Sequence, residues 1–485
     1  MATVSLKFSQ NVIDQQRILE QTNSPYGSFN GIVGSADPGA GSELDLGLLN
    51  WNLDGSTLRV NYTQNVTETY TGIVRDNPLA SSGHATATAY QMQQAGVFSV
   101  KTSGRLNFDY SLGNNSTASL QTSAQGHILD SIRIASEYAA TNPHYDPVFG
   151  NVAVSMGGHM VLGADGALSG VASTIMVQAD KLLNGAIAEG RFFIDPNTPG
   201  GVSGILTGYN ESYYDGSTLV LGGFAMDVAA LGATSSIYTD PRLFGGADVI
   251  NVEMPGRLYE QASIQSGAGA DSVTLKGGGG LLGVNAGDGD DVITLADNGH
   301  AVDGGAGFDV VKVAAPLSAY AVLASTSGSG FTLTDRNGVV SQLTNVERVS
   351  FTDTAYALDI DGHGGQAYRL YQAAFAREPD KGGLGFWIAK IDQGVSLVAS
   401  AQGFINSEEY QSKYGLASSN RELVYQYYAN ILHRAPEDAG LNFWVDVLDQ
   451  HKGSVAEVLS AISESPENQH NVGMLIANGF AYTPY

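Results

Sequence analysis

The stretch GAGADSVTL at residues 267–275 returns as GDGDDVITL at residues 287–295 and as GAGFDVVKV at residues 305–313. Each copy reads G-x-G-x-D and ends in two hydrophobic residues separated by one other residue. The aspartates of successive copies are 20 and 18 residues apart, which is close to two units of nine residues. A tandem repeat of this period predicts a parallel β-roll, in which each coil stacks on the one before it.

The residue types of the repeat predict calcium sites between stacked loops. Glycine adopts positive φ angles readily, so the chain can turn sharply and direct its carbonyl groups inward. Ca²⁺ takes roughly six to eight oxygen ligands, so two stacked loops have to share each ion. The spacing places Asp271, Asp291 and Asp309 in one column. The predicted site residues are Gly267, Gly269, Asp271, Gly287, Gly289, Asp290, Asp291, Gly305, Gly307 and Asp309.

The opposite edge of the roll is poorer in ligands. Its loops fall near residues 276–280 and 296–299, and the first of them has no carboxylate and carries Lys276. We therefore expect about two good calcium sites and one weak one. An earlier fragment, GGADVI at residues 245–250, reads as a decayed first turn. The predicted inward side chains are Val273 and Leu275, Val292 with Thr294 or Leu295, and Val311 and Val313.

These copies resemble the RTX repeats of bacterial proteins that are exported by type I secretion. The resemblance implies a secreted protein that binds Ca²⁺ and folds after export, with the type I secretion apparatus as a partner. Residues 1–8 lack the charged region and long apolar run of a secretory signal. Residues 471–485 carry no charged side chain, so we expect the export signal there. An ordinary frayed terminus is the alternative.

Composition agrees with an extracellular protein that depends on a cation. The chain has 485 residues and no cysteine, so it forms no disulfides and offers no thiol ligands. Bound calcium can stabilise such a chain instead. The formal net charge is −25, which argues against nucleic acid as a partner and against docking on anionic lipid. No stretch of 18 apolar residues occurs, so no transmembrane segment is predicted.

Residues 1–240 predict an antiparallel β domain. Alternating stretches such as residues 106–112, and a series of short strands and turns between residues 151 and 226, favour a meander, sandwich or barrel. Hydrophobic stripes predict two helices over residues 12–21 and 125–140. We interpret this domain as the functional or assembly module of the protein.

Residues 241–315 are assigned to the β-roll, and residues 316–362 to a β cap. A solenoid needs such a cap because its last coil would otherwise expose the core. Within the cap, residues 331–343 read as a hairpin and residues 346–351 as a last strand. From residue 363 onward the hydrophobic pattern switches to helical periodicity.

The helical part, residues 363–485, contains a tandem repeat of 57 residues. Each copy reads helix, then a turn of the form R-x-P-[DE]-x-x-G-L-x-F-W, then helix. This part resembles a helical domain of unknown function that often follows calcium repeats in large secreted bacterial proteins. Trp387 and Trp444 are expected in the core, with stacking on sugars as the alternative. Arg377 and Arg434 are expected to pair with the acid three residues later or to cap a helix.

Sequence motifs of common catalytic sites do not occur. Serralysin-type metalloproteases share this type of roll, but none of the nine histidines forms H-E-x-x-H, and G-x-S-x-G, P-loop and dinucleotide motifs are missing. No catalytic residue is predicted, although a distant pair of carboxylates would leave no motif. Candidates for a sugar-cleaving pair are Glu189, Asp195, Glu211 and Asp215, beside Tyr209, Tyr213 and Tyr214. A haem-binding site would use His84 with Tyr90, or His144 with Tyr145.

The calcium repeat is the most specific motif in the chain, and it decides the interpretation. We expect a protein that is mainly β with an all-α C-terminal part. Its expected function is that of a secreted calcium-binding bacterial surface or extracellular matrix protein in adhesion or assembly, with cell-surface glycan or its own copies as partners. One alternative is an extracellular polysaccharide-active enzyme with its site in residues 1–240. Another is a secreted carrier of haem or another small ligand.

Overall fold

The computed structural model is mainly β with an all-α C-terminal part, as the sequence predicts. The chain divides into two units, Met1–Leu258 and Tyr259–Tyr485, and each is described by itself. The residues that the structure describes are 3–7, 48–112, 118–122, 126–147, 149–163, 168–181, 183–195, 202–214, 216–228, 244–257, 261–326 and 329–485.

The first unit is built from β-strands, several of them more than ten residues long. The strands are β1 Thr3–Lys7, β2 Leu48–Asp54, β3 Thr57–Tyr62, β4 Val66–Thr71, β5 Val74–Arg75, β6 Ser82–Gln94, β7 Phe98–Leu112, β8 Ala118–Thr122, β9 His127–Ser136, β10 Val152–Leu162, β11 Leu168–Ala179, β12 Leu183–Ile194, β13 Val202–Tyr213, β14 Thr218–Asp227 and β15 Val249–Arg257.

These strands form one continuous sheet. From β2 the order runs β3, β4, β6, β7, β9, β10, β11, β12, β13 and β14, and every neighbouring pair is antiparallel. The short strands β5 and β8 add to β6 and β7. β1 pairs antiparallel with β14 and parallel with β15, so the GGADVI fragment leads into a strand of the first unit. The run from β10 to β14 pairs in chain order as a meander, which is one of the three arrangements that the sequence leaves open.

A line of β-bulges bends this sheet. Register shifts interrupt the pairing of β7 with β9, of β10 with β11 and of β12 with β13. A Cβ atom on Gly104, Gly158 or Gly190 would collide with a carbonyl oxygen of the next strand, so these positions tolerate only glycine. Because a bulge increases the local twist, these shifts bend the strands around an apolar cluster of the described residues. That cluster includes Leu106, Leu129, Met160, Phe192 and Leu206.

The helix predicted over residues 125–140 is wrong, because His127–Ser136 forms β9. This strand pairs with both β7 and β10, so its backbone groups find partners on both sides. Ile128, Ile132 and Ile134 are β-branched, which favours a strand once neighbours are present. Tertiary pairing therefore overrides the helical spacing of the isoleucines. The helix predicted over residues 12–21 lies outside the described residues.

The second unit begins with a parallel β-roll made of two sheets. One sheet contains β17 Ser272–Gly278, β19 Val292–Leu295, β21 Val310–Val313 and β25 Arg348–Ser350. The other contains β16 Ala262–Gln265, β18 Leu282–Asn285, β20 Ala301–Asp303 and β24 Val340–Thr344. Each coil contributes one strand to each sheet, and a G-x-G-x-D loop connects the two strands in the first three coils.

The interior of the roll is filled by alternate side chains of both sheets. The prediction that Val292 points inward is wrong. The parallel register pairs Val273 with Ile293 and then Ile293 with Val311, so Ile293 takes the inward position and Val292 is only partly buried. The buried side chains of the first sheet are Val273, Leu275, Ile293, Leu295, Val311 and Val313.

An antiparallel hairpin closes the roll. β22 Tyr320–Ala324 and β23 Phe331–Asp335 follow β21, and β23 pairs antiparallel with β24. The hairpin predicted over residues 331–343 is thus confirmed. On the other sheet, β26 Ala355–Ala357 and β27 Phe480–Tyr482 extend β25 in antiparallel pairs.

Eight α-helices follow in the described part of the chain. They are α1 His363–Phe375, α2 Lys381–Asp392, α3 Leu397–Ile405, α4 Glu408–Tyr414, α5 Asn420–Ile431, α6 Asp438–Asp449, α7 Val455–Ser463 and α8 Pro466–Leu475. The helices α2, α3, α4, α5, α7 and α8 start at an N-cap whose side chain accepts a backbone N–H of the first turn.

The tandem repeat appears as two similar helix pairs, α1–α2 and α5–α6. In the first, Arg377 pairs with Asp380 as predicted, and its Nε also donates to Glu409 Oε1 at 2.6 Å. In the second, Arg434 pairs with Glu437 and its Nε donates to Glu467 Oε1 at 2.7 Å. The arginines therefore fasten each pair to the start of a later helix.

The core assignment of the tryptophans is confirmed. Trp387 stacks on the buried Phe404 with ring centroids 4.3 Å apart. Trp444 packs against the same hydrophobic cluster. A Cβ atom on Gly403 would collide with the Trp387 ring, so the ring occupies the only space above that glycine. These contacts leave the tryptophan rings partly buried against protein.

The last residues of the chain are packed rather than frayed. Val472, Ile476, Phe480 and Tyr482 belong to a buried cluster, and the amide of Thr483 donates to Lys381 O at 3.0 Å. Within the described residues, every helix is too short or too polar to cross a membrane.

Candidate metal centre

The G-x-G-x-D loops stack on one edge of the roll in the same conformation. The first glycines, Gly267, Gly287 and Gly305, have φ angles of 92°, 96° and 97°. The second glycines of the same loops have φ angles of 127°, 140° and 141°. All of these lie where a side chain is disfavoured. The conformation therefore repeats from coil to coil, which explains why glycine recurs at both positions.

Backbone hydrogen bonds join each loop to the next. The amide of Asp288 donates to Gly267 O at 2.9 Å, and the amide of Ala306 donates to Gly287 O at 2.7 Å. A Cβ atom on Gly287 or Gly305 would collide with the carbonyl group of the glycine one coil below. The loops are thus in contact along their backbones.

The predicted aspartates form a column in which the carboxylates of Asp291 and Asp309 hold the preceding loops. The amide of Asp271 donates to Asp291 Oδ1 at 2.7 Å, and the amide of Asp291 donates to Asp309 Oδ1 at 2.9 Å. All three residues are buried, with Asp291 and Asp309 at 0% exposure. The structure therefore brings together the three acids that the repeat spacing selects.

The second carboxylate oxygens of Asp291 and Asp309 differ from the first in having no hydrogen-bond donor among the described residues. Both Oδ2 atoms are buried and accept no hydrogen bond from the described residues. A buried carboxylate oxygen without a donor is costly, since nothing replaces its lost hydration. Burial, together with the charges of Asp291, Glu347 and Asp290, raises the pKa of Asp309 to about 7, although the hydrogen bond from the Asp291 amide opposes the rise. Burial also raises the pKa of Asp291.

These atoms fit a hard cation that takes oxygen ligands. In the part of the chain that the structure describes, no three His, Asp or Glu side chains form a group that could hold a metal ion by themselves. A cation in the column would therefore need backbone carbonyl oxygens beside the aspartates, and the stacked loops carry such oxygens. Ca²⁺ accepts carboxylate and carbonyl oxygens alike, in flexible geometry.

Asp290 takes a different position from its neighbour Asp291. Its side chain is exposed, and its Oδ1 accepts the amide of Phe308 at 2.9 Å. The carboxylate bridges two loops on the outer side of the edge, while the column aspartates face inward. Its charge still acts on Asp291 and Asp309, because it raises the pKa of both.

The opposite edge of the roll is held by side chains of the protein. Both carboxylate oxygens of Asp297 accept the amide of Gly277, at 3.0 and 2.9 Å. Asp297 Oδ1 also lies 2.8 Å from Nε2 of the buried His300, whose Nδ1 lies 3.1 Å from Leu282 O. Both carboxylate oxygens of Asp297 thus have protein donors, whereas the Oδ2 atoms of Asp291 and Asp309 have none among the described residues.

The candidate sugar-cleaving acids of the first unit have separate surroundings. Glu211 accepts hydrogen bonds from the hydroxyls of Tyr209 at 2.5 Å and Tyr213 at 2.7 Å, and burial raises its pKa. Glu189 and Asp195 are exposed, and Asp215 lies outside the described residues. Among these acids, the structure therefore shows one half-buried carboxylate, Glu211, held by tyrosines.

A second carboxylate of the same kind escaped the sequence reasoning. Glu68 accepts the hydroxyls of Tyr62, Tyr70 and Tyr90 at 2.9, 3.0 and 2.9 Å. Burial and the Glu68 charge raise the pKa of the buried Tyr70 well above its ordinary range. The residues come from β3, β4 and β6, so only the sheet register brings them together.

The residues of the haem hypothesis are engaged elsewhere. Tyr90 donates to Glu68, and His84 pairs with Asp109 on the neighbouring strand. His144 lies against Tyr138 with ring centroids 5.6 Å apart, and the Lys181 ammonium lies 5.0 Å from the Tyr145 ring centre. The structure places neither predicted His–Tyr pair around a shared site.

Comparison with known proteins gives one match. A family model described as a domain of unknown function (DUF4214) matches residues 401–472, which run from the middle of α3 to within α8. No curated protein and no solved structure matches the chain. The match concerns the helical part and does not include the column of aspartates.

Proposed function

We propose that this chain is a secreted calcium-binding protein whose roll folds when Ca²⁺ binds between its stacked loops. The residues that would hold the ion are Asp291 and Asp309, through their second carboxylate oxygens, with carbonyl oxygens of the loops 267–271, 287–291 and 305–309. The observation that carries the proposal is the pair of buried Oδ2 atoms without a donor. Calcium would supply the positive charge that these atoms face nowhere else in the column.

The net charge of the chain supports coupling between binding and folding. At −25, the chain repels itself, and a divalent cation bound to the folded roll reduces that repulsion. Ligands that bind only the folded state stabilise it, by about 2.7 kcal/mol at a hundredfold excess over the Kd. We expect Kd values of about 10⁻⁴–10⁻³ M, as for other extracellular calcium modules.

The experiment is thermal unfolding of the full chain, followed by circular dichroism, in millimolar Ca²⁺, in the same concentration of Mg²⁺ and in chelator. Calcium should raise the midpoint and add ordered β-structure, while Mg²⁺ should do much less because it demands a rigid octahedral shell. Identical melting curves in calcium and in chelator would contradict the proposal.

Export and surface function follow from the same proposal. A calcium-dependent roll stays unfolded where calcium is scarce and folds outside the cell, which suits type I secretion and a role in adhesion or assembly. Residues 471–485 are the proposed export signal. Although this segment packs in the folded unit, export acts on an unfolded chain, so replacing it tests the signal directly.

The test is fractionation of cells that make the full chain with and without a type I exporter. The full chain should reach the medium only with the exporter, and a chain with residues 471–485 replaced by a Gly-Ser sequence of equal length should stay inside. Appearance of the replaced chain in the medium would contradict this location of the signal. Filaments or cell attachment that require calcium would support assembly or adhesion.

A further inference from the structure

The column of acids continues beyond the last G-x-G-x-D loop. The amide of Asp309 donates to Glu347 Oε2 at 2.7 Å, the same bond that joins Asp271 to Asp291 and Asp291 to Asp309. β21 pairs with β25 so that Val310 faces Arg348, which puts Glu347 opposite Asp309 in the register. Glu347 therefore occupies the position that a fourth aspartate would have.

The loop that carries Glu347 is a shortened version of the repeat loops. It spans residues 345–347, between β24 and β25. Asn345 has a φ of 50° and takes the left-handed conformation that glycine takes in the other loops. The amide of Arg348 donates to Asp309 O at 3.1 Å. In the same way, the amides of Val292 and Val310 donate to the carbonyl oxygens of the aspartates one coil earlier, Asp271 and Asp291.

Oxygen atoms of this loop and the third loop meet at Gly304. A Cβ atom on Gly304 would collide with Asn345 O and would lie 2.6 Å from Asp309 Oδ2, the buried oxygen without a donor. Glycine at this position thus keeps space beside a carbonyl oxygen and a carboxylate oxygen.

We infer that the loop 345–347 and the loop 304–309 form an outermost site for a divalent cation, with Asp309, Glu347 and Asn345 O as protein groups beside the ion. The inference rests on the proposed function, because it extends the same column by one site. It places a cation between the third G-x-G-x-D loop and the cap.

This site is joined to the helical part by the next residue. Arg348 is buried at 3% exposure, contacts the Asp359 carboxylate before α1, and lies 3.4 Å from Asp392 Oδ2 at the end of α2. Its guanidinium also lies 5.0 Å from the ring centre of Phe308 in the third loop. A cation that orders the loop 345–347 therefore holds Arg348 in place against the first helix pair.

The test is calorimetric titration of the full chain with Ca²⁺, comparing wild type, Glu347→Gln and Glu378→Gln. Gln retains an oxygen that can accept the Asp309 amide but has no charge, and Glu378 is an exposed acid outside the column. Glu347→Gln should bind one calcium ion fewer per chain than wild type, and Glu378→Gln should bind the same number.

A second variant, Glu347→Asp, keeps the charge on a shorter side chain and should keep the ion at lower affinity. Circular dichroism in saturating Ca²⁺ checks that each variant has the wild-type secondary structure. If wild type binds no calcium, the proposed function fails. If wild type binds calcium and Glu347→Gln binds as many ions with the same affinity, only the outermost site fails.

Discussion

The amide of Asp291 donates to Asp309 Oδ1 at 2.9 Å, and the amide of Asp271 donates to Asp291 Oδ1, so Asp309 and Asp291 each use one carboxylate oxygen to hold the loop before. The other oxygen, Oδ2, remains buried without a donor in both residues. The same side chain thus stabilises the stack of loops and presents an atom that a cation can bind. Because the two oxygens have different partners, a substitution that keeps one oxygen and removes the charge tests cation binding apart from loop stacking.

Asp291→Asn should lower calcium affinity by at least about tenfold, which corresponds to roughly 1.4 kcal/mol. The amide oxygen of Asn can still accept the Asp271 amide, so the loss reports on charge and ligation more than on folding. The control is Asp290→Asn, whose side chain is exposed and bonds the Phe308 amide. Calcium titrations in which both variants lose affinity equally would contradict the assignment of the inner oxygens.

Gly287→Ala should destabilise the roll by roughly 2–4 kcal/mol, since the methyl group collides with the Gly267 carbonyl and the φ of 96° is unfavourable for alanine. Gly338→Ala is the matched control, because Gly338 has a φ of 80° but no atom within reach of a Cβ. The control should cost only the backbone strain, about 1–2 kcal/mol. Urea unfolding at one saturating concentration of Ca²⁺ measures both, and equal losses would argue against close stacking of the loops.

Trp387→Ala should destabilise the helical part by roughly 3–5 kcal/mol, because it removes a ring stacked on Phe404 in the core. Phe443→Ala is the control, because Phe443 belongs to the F-W motif of the second copy and is 59% exposed. This substitution should cost far less. Denaturant unfolding gives the free energies of unfolding. Unchanged stability of Trp387→Ala combined with loss of glycan binding would instead favour the sugar-stacking hypothesis.

Glu211 should make the stability of the first unit depend on pH. Burial raises the pKa of Glu211, so the folded state holds its proton more tightly than the unfolded state does. Stability from this group is fully present below the ordinary glutamate pKa and is lost as pH rises through the raised value. Relative to wild type, Glu211→Gln should therefore gain stability as pH rises from about 4 to 8.

The measurement is urea unfolding of both proteins across that range, with Glu189→Gln as the control at an exposed glutamate on β12. A stability difference between wild type and Glu211→Gln that does not change with pH would show that the carboxyl titrates normally in the fold.

The sequence predicts the parts of the molecule that repeat. Asp271, Asp291 and Asp309 are found by spacing alone, because identical residues of successive coils stack in a parallel roll. Glu347 continues the same column but follows Asp309 by 38 residues, after a hairpin, in a loop without glycine. No repeat could identify it, since only the register of β25 against β21 reveals its position.

Other contacts were hidden for similar reasons. Arg377 and Arg434 have acids three residues later in the sequence, but their bidentate partners, Glu409 and Glu467, come from later helices. The spacing of Ile128 and Ile132 suits a helix. The segment nevertheless forms a strand, because β9 pairs with β7 on one side and with β10 on the other. Long-range pairing, which local patterns do not encode, determined these cases.

Hydrogen–deuterium exchange of the full chain with and without Ca²⁺ tests the central claim most directly, because it locates the effect of the cation along the sequence. The account predicts that calcium slows exchange first in peptides covering residues 266–271, 286–291 and 304–309, and then in the strands between them. Protection confined to other parts of the chain, or no change with calcium, would contradict the claim that the aspartate column is a cation site.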